Sequence, residues 1–178
     1  MAFESLKASW QGSTLKIFYD IVAFEAGQGM LPVSKSLMGG CIAAYAVAQT
    51  LIHLLDHELM PSLLFGVSCA ALVTTGSAAV LTLYKRQDKI IQTVTALTGV
   101  GAVIAFASII LHFVFAVALP PPLPTQRLVN FLLFPMVLWM VFAFAFMYRH
   151  AGLRNIPAFA FAATCAIIID FIFDTLMH

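Results

Sequence analysis

Residues Ile91–Leu119 read IQTVTALTGVGAVIAFASIILHFVFAVAL, a run without one Asp, Glu, Lys or Arg and with a single ionisable side chain, His112. A helix needs about 20 mainly apolar residues to cross the hydrocarbon core of a bilayer. A strand of a membrane barrel needs only about ten and alternates polar with apolar positions. The run is too long and too uniformly apolar for a strand, so it predicts a spanning helix.

Four more such runs lie on either side of it, at about Leu37–Leu55, Ser62–Tyr84, Leu128–Tyr148 and Pro157–Met177. Breakers separate them: Pro61 after Asp56-His57-Glu58, the run Pro120-Pro121-Pro122-Leu123-Pro124, and Gly152, Asn155 and Pro157. The proline run cannot continue a helix and reads as a stiff connector. The alternation Phe142-Ala143-Phe144-Ala145-Phe146 looks period-two, but it sits inside an apolar run far too long for one strand. The expected fold is all-α, a polytopic bundle of five transmembrane helices over residues 37–178, preceded by a segment 1–36.

Composition agrees. The chain has 178 residues, 62% of them hydrophobic and 10% charged, whereas a soluble domain carries about 25% charged residues. That excludes a soluble globular domain, a disordered chain and a nucleic-acid binder relying on a basic surface. Cys41, Cys69 and Cys165 form no metal-finger spacing and no evident disulfide framework.

The few charges are placed unevenly. Lys85, Arg86 and Lys89 face one Asp88 between the second and third runs, and Arg149 and Arg154 lie between the fourth and fifth. Asp56 and Glu58 lie between the first and second, and Arg127 follows the proline run. Basic loops stay in the cytoplasm. The expected topology is therefore N-in and C-out in a cell inner membrane, with a cytoplasmic N-terminus and a periplasmic C-terminus.

Before the first run, Phe3, Leu6, Trp10, Ile17, Ile21 and Phe24 recur at helical spacing until Gly27, Gly29 and Pro32 end the pattern. The segment is too polar to cross and lacks a signal-peptide layout. It reads as an amphipathic helix on the cytoplasmic face of the bilayer, with Trp10, Ile17 and Phe24 touching the membrane surface. The alternative is docking on a partner protein.

Ionisable groups inside a bilayer are costly and mark functional candidates. Tyr45, Gln49, His53 and His57 follow one another at i, i+4 on the first spanning helix; Ser108 and His112 are four apart on the third; Asp170, Asp174 and His178 form a stripe on the fifth. Three readings stay open. His53, His57, His112, Asp170 and Asp174 converge on a metal ion, since imidazole and carboxylate suit zinc, iron, copper or nickel. Alternatively, His112, Asp170 and Gln49 pass protons or ions without a resident metal. The plain reading makes them hydrated rim residues plus an interhelical hydrogen bond that adds packing specificity.

The small residues Gly66, Ala70, Ser77, Gly99, Gly101 and Ala105 suit close helix packing, and Pro135 should bend its helix. The aromatics of the fourth run, including Phe131, Trp139 and Phe146, spread around its helix as on a lipid- or partner-facing element. No nucleophile, acid and base stand at a catalytic spacing, so a non-enzymatic protein without a required cofactor is expected.

The stretch from Tyr84-Lys85-Arg86-Gln87-Asp88-Lys89 through Gln92-Thr93-Val94-Thr95-Ala96-Leu97 to Gly99, together with Tyr148-Arg149-His150-Ala151, resembles the basic loops of five-helix bacterial inner-membrane proteins of the Ypt-interacting-protein (Yip) type and related families. The resemblance covers Leu83 to His150. It implies a small helical membrane adaptor and carries no catalytic residues. The expected function is an accessory, assembly or scaffold subunit whose partners are the lipid bilayer and another membrane protein or further copies of this chain. The competing expectation is a small oligomeric channel or transporter for protons or a metal cation.

Overall fold

Ser34 opens the first long helix. Its hydroxyl accepts the Leu37 N–H at 3.2 Å, satisfying one of the donors that a helix start leaves without a partner. The helix runs Lys35–Leu54 (α2) and follows a shorter one at Thr14–Val22 (α1) and a 3₁₀ turn at Gln28–Met30. Leu59–Leu83 (α3), a second 3₁₀ turn at Gln87–Lys89, Ile90–Ala118 (α4), Gln126–His150 (α5) and Asn155–Met177 (α6) complete the chain. The computed structural model describes residues 14–55, 57–118 and 126–177. The side chains of Leu15, Gln126, Arg127, Asn130 and all residues from Asp170 onward lie outside that description. Among the described residues there is no strand.

Each apolar run is a helix, but two begin earlier than their prolines suggest. Pro61 and Pro157 sit third in α3 and α6. First-turn N–H groups have no intrahelical acceptor, so proline removes nothing there. Pro135 lies within the continuous α5. Four helical stretches are long and apolar enough to cross a membrane: Lys35–Leu54, Leu59–Leu83, Gln87–Ala118 and Phe131–His150. The described apolar part of α6 is shorter, Asn155–Ile169.

Helix α4 is the axis of the bundle. Every residue from Thr93 to Ala102 is buried, so this half is enclosed on all sides, as an all-round apolar helix requires. It packs against α1, α2, α3 and α5; α2 also packs on α3, and α6 on α5 and α3. Small residues permit the close approaches. A Cβ on Gly66 would run into the Ala46 carbonyl oxygen of α2, and one on Gly101 would lie 2.6 Å from the Tyr45 ring. Threonines on α4 turn their hydroxyls back onto their own helix, Thr98 onto Val94 O at 2.8 Å, so they are satisfied without an interhelical partner. A cross-helix polar pair joins Ser77 of α3 to the Tyr148 hydroxyl of α5 at 2.8 Å.

The tight links between helices are closed by left-handed residues. Lys85 (φ 56°) ends α3, letting the Arg86 N–H reach Leu81 O at 2.7 Å. Gly152 (φ 104°) turns α5 into α6 and lies against the Arg86 guanidinium. The basic loops expected between the second and third and between the fourth and fifth runs thus meet at one end of the bundle.

Candidate functional site

Of the polar stripe on α2, Tyr45, Gln49 and His53 face the interior and are buried, while His57, beyond the helix end, is half-buried. His53 is only 2% exposed. Its Nδ1 lies 3.0 Å from the Ser62 hydroxyl of α3, and that hydroxyl donates to Glu58 O at 2.7 Å. With the serine proton committed, the hydroxyl accepts from Nδ1–H. The ring stacks on Phe65 (centroids 4.7 Å apart, planes at 25°) and meets the His57 ring at 4.3 Å.

Among the described residues, the proposed metal set is brought together only in this one pair. His112 is half-buried on α4, and among the described residues no three His, Cys, Asp or Glu side chains gather as a metal group would require. The side chains of Asp170 and Asp174 fall outside the described residues, as do Asp56 and His178. Gln49 and Ser108 are joined in another way. They line one cleft of about 250 Å³ between α2, α4, α5 and α6, whose other walls include Phe65, Met136, Met140 and Ile169. Ser108 donates to Ile104 O at 3.0 Å, so the Gln49 amide is the polar side chain on this wall without a backbone tether of that kind. His112, one turn beyond Ser108, is not part of the cleft wall.

The opposite end of the bundle carries a feature that the sequence reading assigns differently. Residues 14–31 are docked on this chain's own α4 and α5. Ile21 and Phe18 are buried in the core, with Ile17 packed against it. The Phe18 ring fills the space above Gly99, where a Cβ would lie 2.6 Å from Phe18 Cζ. Phe24 holds a left-handed backbone (φ 62°), a conformation that costs a bulky residue about 1–2 kcal/mol. Its ring is held between Trp139 and Phe146, at centroid distances of 5.5 and 5.3 Å, and the Trp139 indole N–H donates to Val22 O at 3.3 Å.

Beyond the turn the strap is held by polar contacts. Gln28, fully enclosed, has its amide nitrogen 3.2 Å from Met147 O and its amide oxygen 3.1 Å from the Ala151 N–H, in the orientation that satisfies both, with Thr93 Oγ1 beside it. The Gln92 amide donates to Leu31 O at 2.9 Å. Gly27 lies close against the His150 ring. Ile17, Ile21 and Phe24 of the amphipathic stripe therefore cover the bundle itself, a surface that neither the bilayer nor the partner expectation names; Trp10 lies outside the described residues. The stripe shows that an apolar face must be covered, and Gly99 supplies the clearance for this one. Nothing in the local pattern distinguishes Gln28 from an ordinary loop glutamine, because its partners come from positions more than 60 residues away.

No protein family, curated protein or solved structure matches the chain, and none of these comparisons identifies a Yip-type family.

Proposed function

We propose that this chain is a non-enzymatic integral membrane protein serving as an accessory, assembly or scaffold subunit of a membrane complex. In this reading the bundle has five spans in a cell inner membrane, the strapped basic end faces the cytoplasm, and the C-terminus faces the periplasm. The observation that carries it is the strap. Its inner side is locked onto α4 and α5, while Tyr19, Met30 and Val33 stay 62%, 67% and 64% exposed. Apolar residues held on a fixed backbone beside basic helix ends make a preformed contact surface, with little ordering cost on binding. The lateral faces of the bundle, in contact with lipid, supply further helix contacts.

Purification in mild detergent tests this reading. A larger membrane protein is expected at fixed stoichiometry, lost from a Tyr19→Asp/Met30→Asp variant that keeps its helicity. A lone homogeneous particle from the unmodified chain overturns it. The cleft shared by Gln49 and Ser108 favours a second reading, a small oligomeric channel or transporter for protons or a metal cation along Gln49, His112 and Asp170. That reading expects ion flux in liposomes that His112→Ala or Asp170→Asn abolishes; protein with neither flux nor bound metal discards it.

A further inference from the structure

One face of α5 is apolar for most of its length and cationic at its end. Pro135, Trp139, Phe142, Phe146 and Arg149 follow at steps of four, three, four and three residues and line a single open groove of about 680 Å³. Phe159 and Asn155 of α6 form the second wall and Phe24 of the strap the third. Phe142 and Phe159 meet across it at 5.9 Å.

From Pro135 to Arg149 the groove follows fourteen residues of helix, about 21 Å at the α-helical rise. That exceeds the roughly 15 Å half-thickness of a hydrocarbon core. An open apolar furrow of this length that ends on a cation suits an acyl chain with its charged headgroup at the polar end. At its polar end Arg149 is exposed, and among the described residues no carboxylate lies within ion-pairing distance of it or of Arg154. Arg154 and Asn155 border the adjoining recess, and Arg86 reaches the same turn at Gly152. Basic recesses between helices at a membrane surface attract anionic lipid headgroups.

We infer that this groove binds an anionic glycerophospholipid, with an acyl chain along Trp139, Phe142 and Phe146 and the phosphate held by Arg149 and Asn155. The site does not depend on the accessory-subunit reading, because it requires only that the bundle is embedded in a bilayer. Trp139 in the groove wall is a built-in reporter, and Trp10→Phe makes it the sole tryptophan.

The test reconstitutes that variant in phosphatidylcholine vesicles and adds acyl-brominated phosphatidylglycerol or, separately, acyl-brominated phosphatidylcholine. Trp139 quenching is expected at a lower mole fraction of the glycerol lipid, and Arg149→Gln should raise that fraction about fivefold, the equivalent of one interfacial cation. Lys35→Gln, which removes an equal charge at the same end of the bundle, should leave it unchanged. Equal quenching by the two lipids, an unmoved Arg149→Gln curve, or an equal shift with Lys35→Gln overturns the assignment. So does protection of Trp139 from both lipids by a co-purified protein. Native mass spectrometry of the unsubstituted chain offered both lipids reads the same preference: retained phosphatidylglycerol supports the site, and no preference overturns it.

Discussion

Replacing Gly99 by alanine should release the strap and leave the bundle intact. The new Cβ would meet the edge of the Phe18 ring, with Cζ at 2.6 Å and Cδ1 at 2.9 Å, where carbon atoms rest about 3.5–4.0 Å apart. One side must retreat by about 1 Å. Gly99 lies in the fully enclosed half of α4, gripped by neighbouring helices, whereas Phe18 rides on α1, nine residues long and attached along one side. The strap therefore yields. Losing the burial of Phe18 removes about 1.5–3 kcal/mol from docking. Alanine also favours a helix over glycine by about 1 kcal/mol, but α4 is helical whether or not the strap is docked, so this gain does not offset the loss. Opening of the strap should become roughly ten- to a hundredfold more frequent. Amide hydrogen exchange of the reconstituted protein reads this directly, as faster exchange over residues 17–31 with unchanged exchange in α2 and α3. Unchanged or slower exchange over 17–31 would refute the reasoning, and equal acceleration in α2 and α3 would show that the bundle absorbs the clash.

Gly66→Ala should act in the opposite place. Its Cβ meets backbone of α2, with Thr50 N at 2.9 Å and the Ala46 carbonyl oxygen closer still, so the two helices must part; a loss of about 1–3 kcal/mol should appear as a lowered thermal midpoint. Gln28→Leu keeps the bulk but strips the amide contacts at Met147 O and the Ala151 N–H, and should cost about 1–3 kcal/mol, read as faster exchange over residues 26–31. Tyr148→Phe removes the hydroxyl from Ser77 and should cost about 0.5–1.5 kcal/mol in a reversible unfolding titration. An unaltered titration would mean that the pair contributes nothing to stability.

The long apolar helices were legible because run length is a one-dimensional quantity that the bilayer thickness calibrates. Their starts were misplaced by two or three residues at Pro61 and Pro157, where a local rule about proline met the exception of the first turn. The stripe Ile17, Ile21 and Phe24 was legible as an amphipathic face. Its counter-surface was not, since an apolar stripe specifies burial without naming what covers it. The same limit applies to α5. Its aromatics looked evenly spread, and only the packing of α6 and Phe24 beside it shows Trp139, Phe142 and Phe146 lining one groove that ends on Arg149. In the polar stripe, i, i+4 spacing put Gln49 and His53 on one helix face, but that His53 is buried there rather than hydrated at the rim came only from packing, as did its partner Ser62 on the next helix, which read as a boundary residue.

By itself the sequence determined that this chain is helical, where its helices long and apolar enough to cross a membrane lie and which of its loops are basic. Those properties follow from composition and periodicity along the chain. The tertiary structure alone decided that residues 14–31 strap α4 to α5, that Gln28 is enclosed among Thr93, Met147 and Ala151, and that Gln49 shares a cleft with Ser108. These are contacts between residues tens of positions apart. They depend on clearances such as those at Gly66 and Gly99, which exist only once the helices have met.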